Sequence, residues 1–121
     1  LDHVQSQLSR FQRFEPVFKY VQENLKKPIA SAELAALVGL STNYFSNLFS
    51  DTLGVTPVQF VNQQRVLRAK GLLTFSGLTV HEIALELGFK DPFYFSKVFK
   101  AATGVSPRHY RQQQEGLETQ P

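Results

Sequence analysis

The chain has no cysteine, no methionine and no tryptophan, and its only histidines are His3, His81 and His109, scattered along 121 residues. Without thiols there is neither a disulfide framework nor a thiolate metal site, and histidines so far apart make no imidazole cluster. Redox compartment is therefore not legible from cysteine usage. No apolar run approaches the roughly 18 residues of a membrane-crossing helix, and no basic stretch followed by an apolar block reads as a signal peptide. The expectation is a soluble, cytoplasmic chain with no membrane partner and no cofactor. A start at Leu1 with no Met anywhere reads as a fragment of something longer. The length suits one compact domain or two very small ones, since an independent core needs on the order of 50 to 100 residues.

Charge is unevenly spread. Residues 56–114 carry eight Lys or Arg (Arg65, Arg68, Lys70, Lys90, Lys97, Lys100, Arg108, Arg111) against three acids (Glu82, Glu86, Asp91). Residues 28–55 carry no basic residue and two acids, Glu33 and Asp51. A basic second half fits a polyanionic partner, although an ordinary solvated surface shows a similar excess.

What the chain does contain is a repetition. YFSNLF at 44–49 returns as YFSKVF at 94–99. At an offset of fifty, Tyr44, Phe45, Ser46, Phe49, Gly54, Val55 and Pro57 match Tyr94, Phe95, Ser96, Phe99, Gly104, Val105 and Pro107. At an offset of forty-nine, Ala35 and Gly39 match Ala84 and Gly88. The slip of one residue falls after each Gly, where a turn absorbs it. A unit of about thirty residues thus occurs twice, too few times for a solenoid.

Each unit is punctuated as two helices. In the first, Ser31 is the expected N-cap, Leu34, Ala35, Leu37 and Val38 form an apolar face, and Gly39 ends the helix. Ser41 then caps a second helix in which Phe45, Leu48, Phe49 and Thr52 recur at helical spacing until Gly54. In the second unit Thr79 and Gly88 bracket the short helix. Asp91 caps the next, with Pro92 at its first position, and Phe95, Val98, Phe99 and Ala102 form the inward stripe. Two helices joined by a short Gly-containing turn make a helix-turn-helix, and the small Ala35 and Ala84 permit a close crossing.

The remaining segments connect these units. Thr56-Pro57 and Ser106-Pro107 each open a further helix, the first running to about Thr74 and the second stopping near Gln114. Pro16 opens a helix whose Phe18, Val21 and Leu25 face the core until Pro28. The predicted architecture is all-α, with about seven helices and no strand. A linker or helical extension (1–13), with Val4, Leu8 and Phe11 as its apolar residues, precedes a first helix-turn-helix subdomain (14–55). A long linker helix (56–75), a second helix-turn-helix subdomain (76–114) and a flexible tail (115–121) follow.

At this point the chain resembles a known family. Residues from about 15 to 113 look like the DNA-binding domain of the AraC/XylS family of bacterial transcription regulators. The signature is IALELGFKDPFYFSKVFKAATGVSPRHYR in the second unit, supported by RVLRAKGLL at 65–73. The resemblance implies promoter DNA as the ligand, control by a separate sensor domain that these residues lack, and contact with RNA polymerase.

The mechanism follows from helix geometry. The second helix of a helix-turn-helix enters the major groove, and the exposed residues of its N-terminal part meet base edges. With the Phe and Leu side chains inward, Thr42, Asn43, Ser46, Asn47 and Ser50 face outward in the first unit, and Lys90, Phe93, Ser96, Lys97 and Lys100 in the second. Asn bridges adenine, Lys donates to guanine, and an aromatic such as Phe93 touches a thymine methyl. The bland alternative is a solvated helix face, with Phe93 tucked against its own subdomain.

A linker of about eighteen residues spans about 27 Å. That is near the roughly 34 Å between successive major grooves. One chain could then read two grooves. Arg65, Arg68, Arg108 and Arg111 are candidate phosphate clamps, as are the backbone amides near Thr56 and Ser106. Arg65 has a second reading, as a pin between the linker helix and a carboxylate such as Glu33.

One departure from the family stands out. Its members often carry a basic residue where this chain has Asn47, and here the whole first recognition helix lacks Lys and Arg. No His, Asp or Glu cluster accompanies a nucleophile, which weighs against an enzyme. The rival reading is a protein-interaction module that keeps the fold without binding DNA.

Overall fold

The structure, a computed structural model, describes residues 2–119. Among the described residues it contains eight helices and no strand: α1 Asp2–Arg13, α2 Glu15–Glu23, α3 Ser31–Leu37, α4 Thr42–Leu53, α5 Pro57–Phe75, α6 Val80–Glu86, α7 Pro92–Thr103 and α8 Pro107–Thr119. The all-helical expectation is met, with α1 as an additional helix. No described helix is long and apolar enough to cross a membrane.

The chain divides into two compact units. The first runs up to Asn24 and resumes at Ile29–Val61, and the second comprises Leu25–Pro28 and the chain from Asn62 onward. In the first unit α3 packs against α4, and both α1 and α2 close over the pair. Its core is aromatic. Phe14, fully buried, sets its ring 5.7 Å from Phe45 and 5.2 Å from Phe49, while Phe18 and Phe60 flank Phe49. Val17, Val21, Leu34, Ala35 and Val61 fill the remaining space.

The second unit has a separate core of Val66, Ala69, Leu73, Ile83, Ala84, Leu87, Phe89, Phe95 and Phe99, with Tyr110 packed against it. Rings of Phe99 and Tyr110 lie 5.5 Å apart, edge to face. Phe49 faces Phe60 in the same way at 5.5 Å, so the repeat holds at the level of packing.

Both short helices end alike. The amides of Leu40 and Gly39 donate to the carbonyls of Ala35 and Ala36, and those of Phe89 and Gly88 donate to Ala84 and Leu85. This is the paired bonding of a left-handed helix terminus, with φ of 70° at Gly39 and 78° at Gly88. At each such end the residue three before the cap is the buried Ala35 or Ala84, where a larger side chain would force the helix pair apart.

Several local expectations are corrected. Ser31 is not the N-cap of α3: Ala30 holds that place, and its amide donates to Glu33 Oε1 at 3.2 Å. The register that pairs Ala35 with Ala84 also pairs Ala30 with Thr79, whose hydroxyl accepts from the Glu82 amide while its own amide donates to Glu82 Oε1. Donation from the Thr79 backbone amide is the largest cause holding the Glu82 carboxyl below its ordinary pKa, with the Thr79 side chain adding to it. α2 ends at Glu23 rather than at Pro28, because the Asn24 side-chain amide donates back to the Tyr20 carbonyl at 2.8 Å and terminates the ladder. Leu25 is nonetheless buried, in the second unit. Ala102 is exposed instead of lining the inward stripe; one residue further, the Thr103 hydroxyl donates to the Phe99 carbonyl. Leu37 is 42% exposed and contributes little to the apolar face of α3. Finally, α8 continues past Gln114 to Thr119.

Candidate nucleic-acid interface

In the first unit α4 is opened by Ser41, whose hydroxyl accepts from the Tyr44 amide at 3.3 Å, and is closed by Gly54 in the left-handed conformation. Phe45 and Phe49, both without solvent exposure, fix which way the helix faces. Thr42, Asn43 and Asn47 are therefore exposed. Ser46 and Ser50, each one residue after a buried Phe, are half-buried at the edge of that face.

The second unit builds the same object with different chemistry. Asp91 Oδ1 accepts from the amides of Phe93 at 2.6 Å and Tyr94 at 3.0 Å, Pro92 begins α7, and Gly104 ends it. With Phe95 and Phe99 fully buried, Lys90, Lys97 and Lys100 are exposed and Ser96 is half-buried. Phe93 is 85% exposed, which removes the alternative that it tucks against its own subdomain.

Two residues that mark the repeat also lie on these faces. Tyr44 and Tyr94 are 55% and 49% exposed, and each precedes Asn47 or Lys97 by three residues, so each shares that residue's face. Their recurrence beside a buried Phe was the available signal. The Tyr94 ring also leans on Phe89 at 5.9 Å.

The candidate phosphate contacts separate into two classes. At the start of α5, Thr56 and Gln59 exchange hydrogen bonds of 2.9 and 3.1 Å, and at the start of α8 the Ser106 hydroxyl accepts from His109 at 3.1 Å. Both helix starts are thus capped from within. Arg68 and Arg108 are exposed.

Arg65 and Arg111 are differently placed. Arg65 is buried, with its ring-facing guanidinium 5.5 Å above Phe89, and it donates to the carbonyls of Lys27 at 2.7 Å and Leu25 at 3.4 Å. Neither the phosphate clamp nor the Glu33 pin describes it. Glu33 instead accepts from Ala30 and from the Tyr20 hydroxyl. Burial lowers the Arg65 pKa, and Tyr94 partly offsets this. Arg111 donates to the carbonyls of Leu73 at 3.0 Å and Ser76 at 3.5 Å, at the C-terminal end of α5. Turn and helix-end carbonyls lack backbone partners, and a guanidinium fork satisfies two at once. Among the described residues no group of His, Asp and Glu is arranged to hold a metal ion.

Two helix pairs with buried crossing residues, each presenting a polar N-terminal face, point to one kind of domain. A family described as helix-turn-helix domain matches residues 34–113, most of the chain. The chain belongs to the AraC-type helix-turn-helix family. As a member it is a DNA-binding transcription-regulator domain.

It is 38% identical over 93 residues to the uncharacterized HTH-type transcriptional regulator YisR of Bacillus subtilis, covering 77% of this chain and 32% of that one. It is similar to the DNA-binding domain of the global transcriptional factor AdpA, solved in complex with a target DNA, with a TM-score of 0.80 and 31% identity over 87% of this chain and 95% of that one. An AraC-type regulator from Chromobacterium violaceum shares the fold at a TM-score of 0.81, with 24% identity over 94% of this chain and 98% of that one. The chain spans about a third of the length of the curated relatives it matches.

Proposed function

We propose that this AraC-type domain reads double-stranded promoter DNA in a sequence-specific way, laying α4 and α7 into successive major grooves of one site. The observation that carries this is the matched pair of recognition helices, each locked by two fully buried Phe side chains and each exposing polar residues on its N-terminal face. In this reading Thr42, Asn43 and Asn47 discriminate bases in one half of the site, with Ser46 and Ser50 at the margin. Lys90, Phe93 and Lys97 do so in the other half, with Ser96 and Lys100 beside them. Arg68, Arg108 and the helix starts at Thr56 and Ser106 hold phosphates. The role is binding, with no catalytic step. A sensor domain elsewhere in the parent chain and RNA polymerase are the protein partners this role calls for, and the bacterial cytoplasm is where it would operate.

The test is positional. A duplex selected from a random pool is varied one base pair at a time, and each variant is titrated with Asn47→Ala and with Lys97→Ala. Asn47→Ala should weaken the preferred site by about 1–3 kcal/mol and leave random duplex and its salt dependence nearly unchanged. The two substitutions should relax different half-sites, about one helical turn apart. Relaxation of the same few base pairs by both would sink the two-groove reading, and absence of salt-dependent binding to any duplex would favour a protein-interaction module.

A further inference from the structure

The first unit presents a deficit: its recognition helix α4 carries no Lys or Arg and one acid, Asp51. A helix lying in the groove between two rows of phosphates gains affinity chiefly from nearby cations. The whole unit holds three basic residues, Arg10, Arg13 and Lys19, and two of them occupy the last turn of α1. That helix precedes the residues 34–113 matched by the family.

The placement of that turn is defined by packing. α1 lies against α4 within the unit. Phe14 directly follows Arg13, and its buried ring is 5.7 Å from that of Phe45, in the N-terminal half of α4. The end of α1 is thereby held against the inward face of α4, that of Phe45 and Phe49, behind the face that carries Asn43 and Asn47. Arg10 and Arg13 are three apart and so share a face of α1; both are exposed, and neither has an ion-pair partner among the described residues. The major groove is only about 12 Å wide, so cations on an element packed against the reading helix come alongside the phosphates that border it.

We propose that Arg10 and Arg13 are the phosphate clamp of the first unit, supplied by α1 in place of the cations that α4 lacks. This rests on the DNA-binding reading above and extends it to a helix outside the matched family residues. Division of labour within the unit follows: Asn43 and Asn47 select bases without charge, and the α1 arginines supply the counterion release.

The experiment compares the full chain with Arg10→Gln/Arg13→Gln on the selected duplex, measuring log K against log salt. Each lost phosphate contact should reduce the slope by about 0.9, so the double variant should lose up to about 1.8. Replacing single phosphates by neutral methylphosphonates should reproduce the loss at one or two positions flanking the half-site that Asn47→Ala relaxes. The double variant should be insensitive to those same replacements. An unchanged slope with wild-type binding intact would overturn the clamp and leave the DNA reading standing, as would a lowered melting temperature with an unchanged slope, which would assign the arginines to the α1 helix dipole. A wild-type chain that binds no duplex would overturn both.

Discussion

Single residues in this domain have different consequences at equivalent positions, and the two turn glycines illustrate it. Gly39 and Gly88 both need positive φ, so any Cβ costs about 1–2 kcal/mol of backbone strain. A Cβ on Gly39 would meet nothing within 4 Å, whereas one on Gly88 would lie 2.6 Å from the Leu25 carbonyl oxygen. That oxygen is itself held by Arg65, so it does not yield freely. Gly39→Ala should cost only the strain, and Gly88→Ala about 2–5 kcal/mol once overpacking is included. Urea midpoints of the two variants check this. Equal losses would mean that the Leu25 turn moves aside without penalty. The same contrast applies to the arginines. By residue type alone Arg65 and Arg111 are as eligible for phosphate as Arg108, but the buried Arg65 and the half-buried Arg111 donate instead to backbone carbonyls.

At the scale of elements, helix termini account for most of what was legible. Thr79 with Glu82 and Thr56 with Gln59 form reciprocal caps whose partners are three residues apart, a spacing readable directly in sequence. The start of α3 has only half of this arrangement, since Ala30 donates its amide to Glu33 but offers no side-chain acceptor to the Glu33 amide. Ala30→Ser supplies that acceptor and should stabilise the first unit by about 0.5–2 kcal/mol. Thermal unfolding of the variant measures the gain. No gain would show that the exposed start of α3 is already satisfied by solvent. The expectation that Ser31 capped this helix failed because Ser is a favoured cap type, while the reciprocal bond depends on where Glu33 falls.

For the whole molecule the governing quantity is charge. α7 exposes Lys97 and Lys100, and α4 exposes no cation at all. Nonspecific affinity should therefore come mainly from the second unit. Lys97→Ala combined with Lys100→Ala is expected to lower affinity for random duplex and to flatten the salt dependence by up to about 0.9 per lost contact. Titration across a salt series decides it. An unchanged slope would mean that neither lysine touches the backbone, leaving base contact by Lys97 as its role. The pattern of one recognition helix without cations and one with two makes the two halves of a site unequal in how they depend on salt and on sequence.

By itself the sequence determined the duplication, the helix count to within one, the capped starts of α4, α6 and α7, and the inward Phe of each recognition helix. Apart from the duplication, these are encoded within about one turn of helix, through cap chemistry, apolar spacing and glycine. The exposed faces of Asn43, Asn47, Lys97 and Lys100 follow from the same periodicity. Only the tertiary structure decided the fate of Arg65 and Arg111, whose carbonyl partners lie 35–40 residues away in the chain. It also decided that Leu25–Pro28 belongs to the second unit although both neighbouring helices belong to the first. A backbone carbonyl is present at every residue, so no spacing of side chains announces which one a distant guanidinium will find. That choice is made when the cores close and leave particular helix ends without partners.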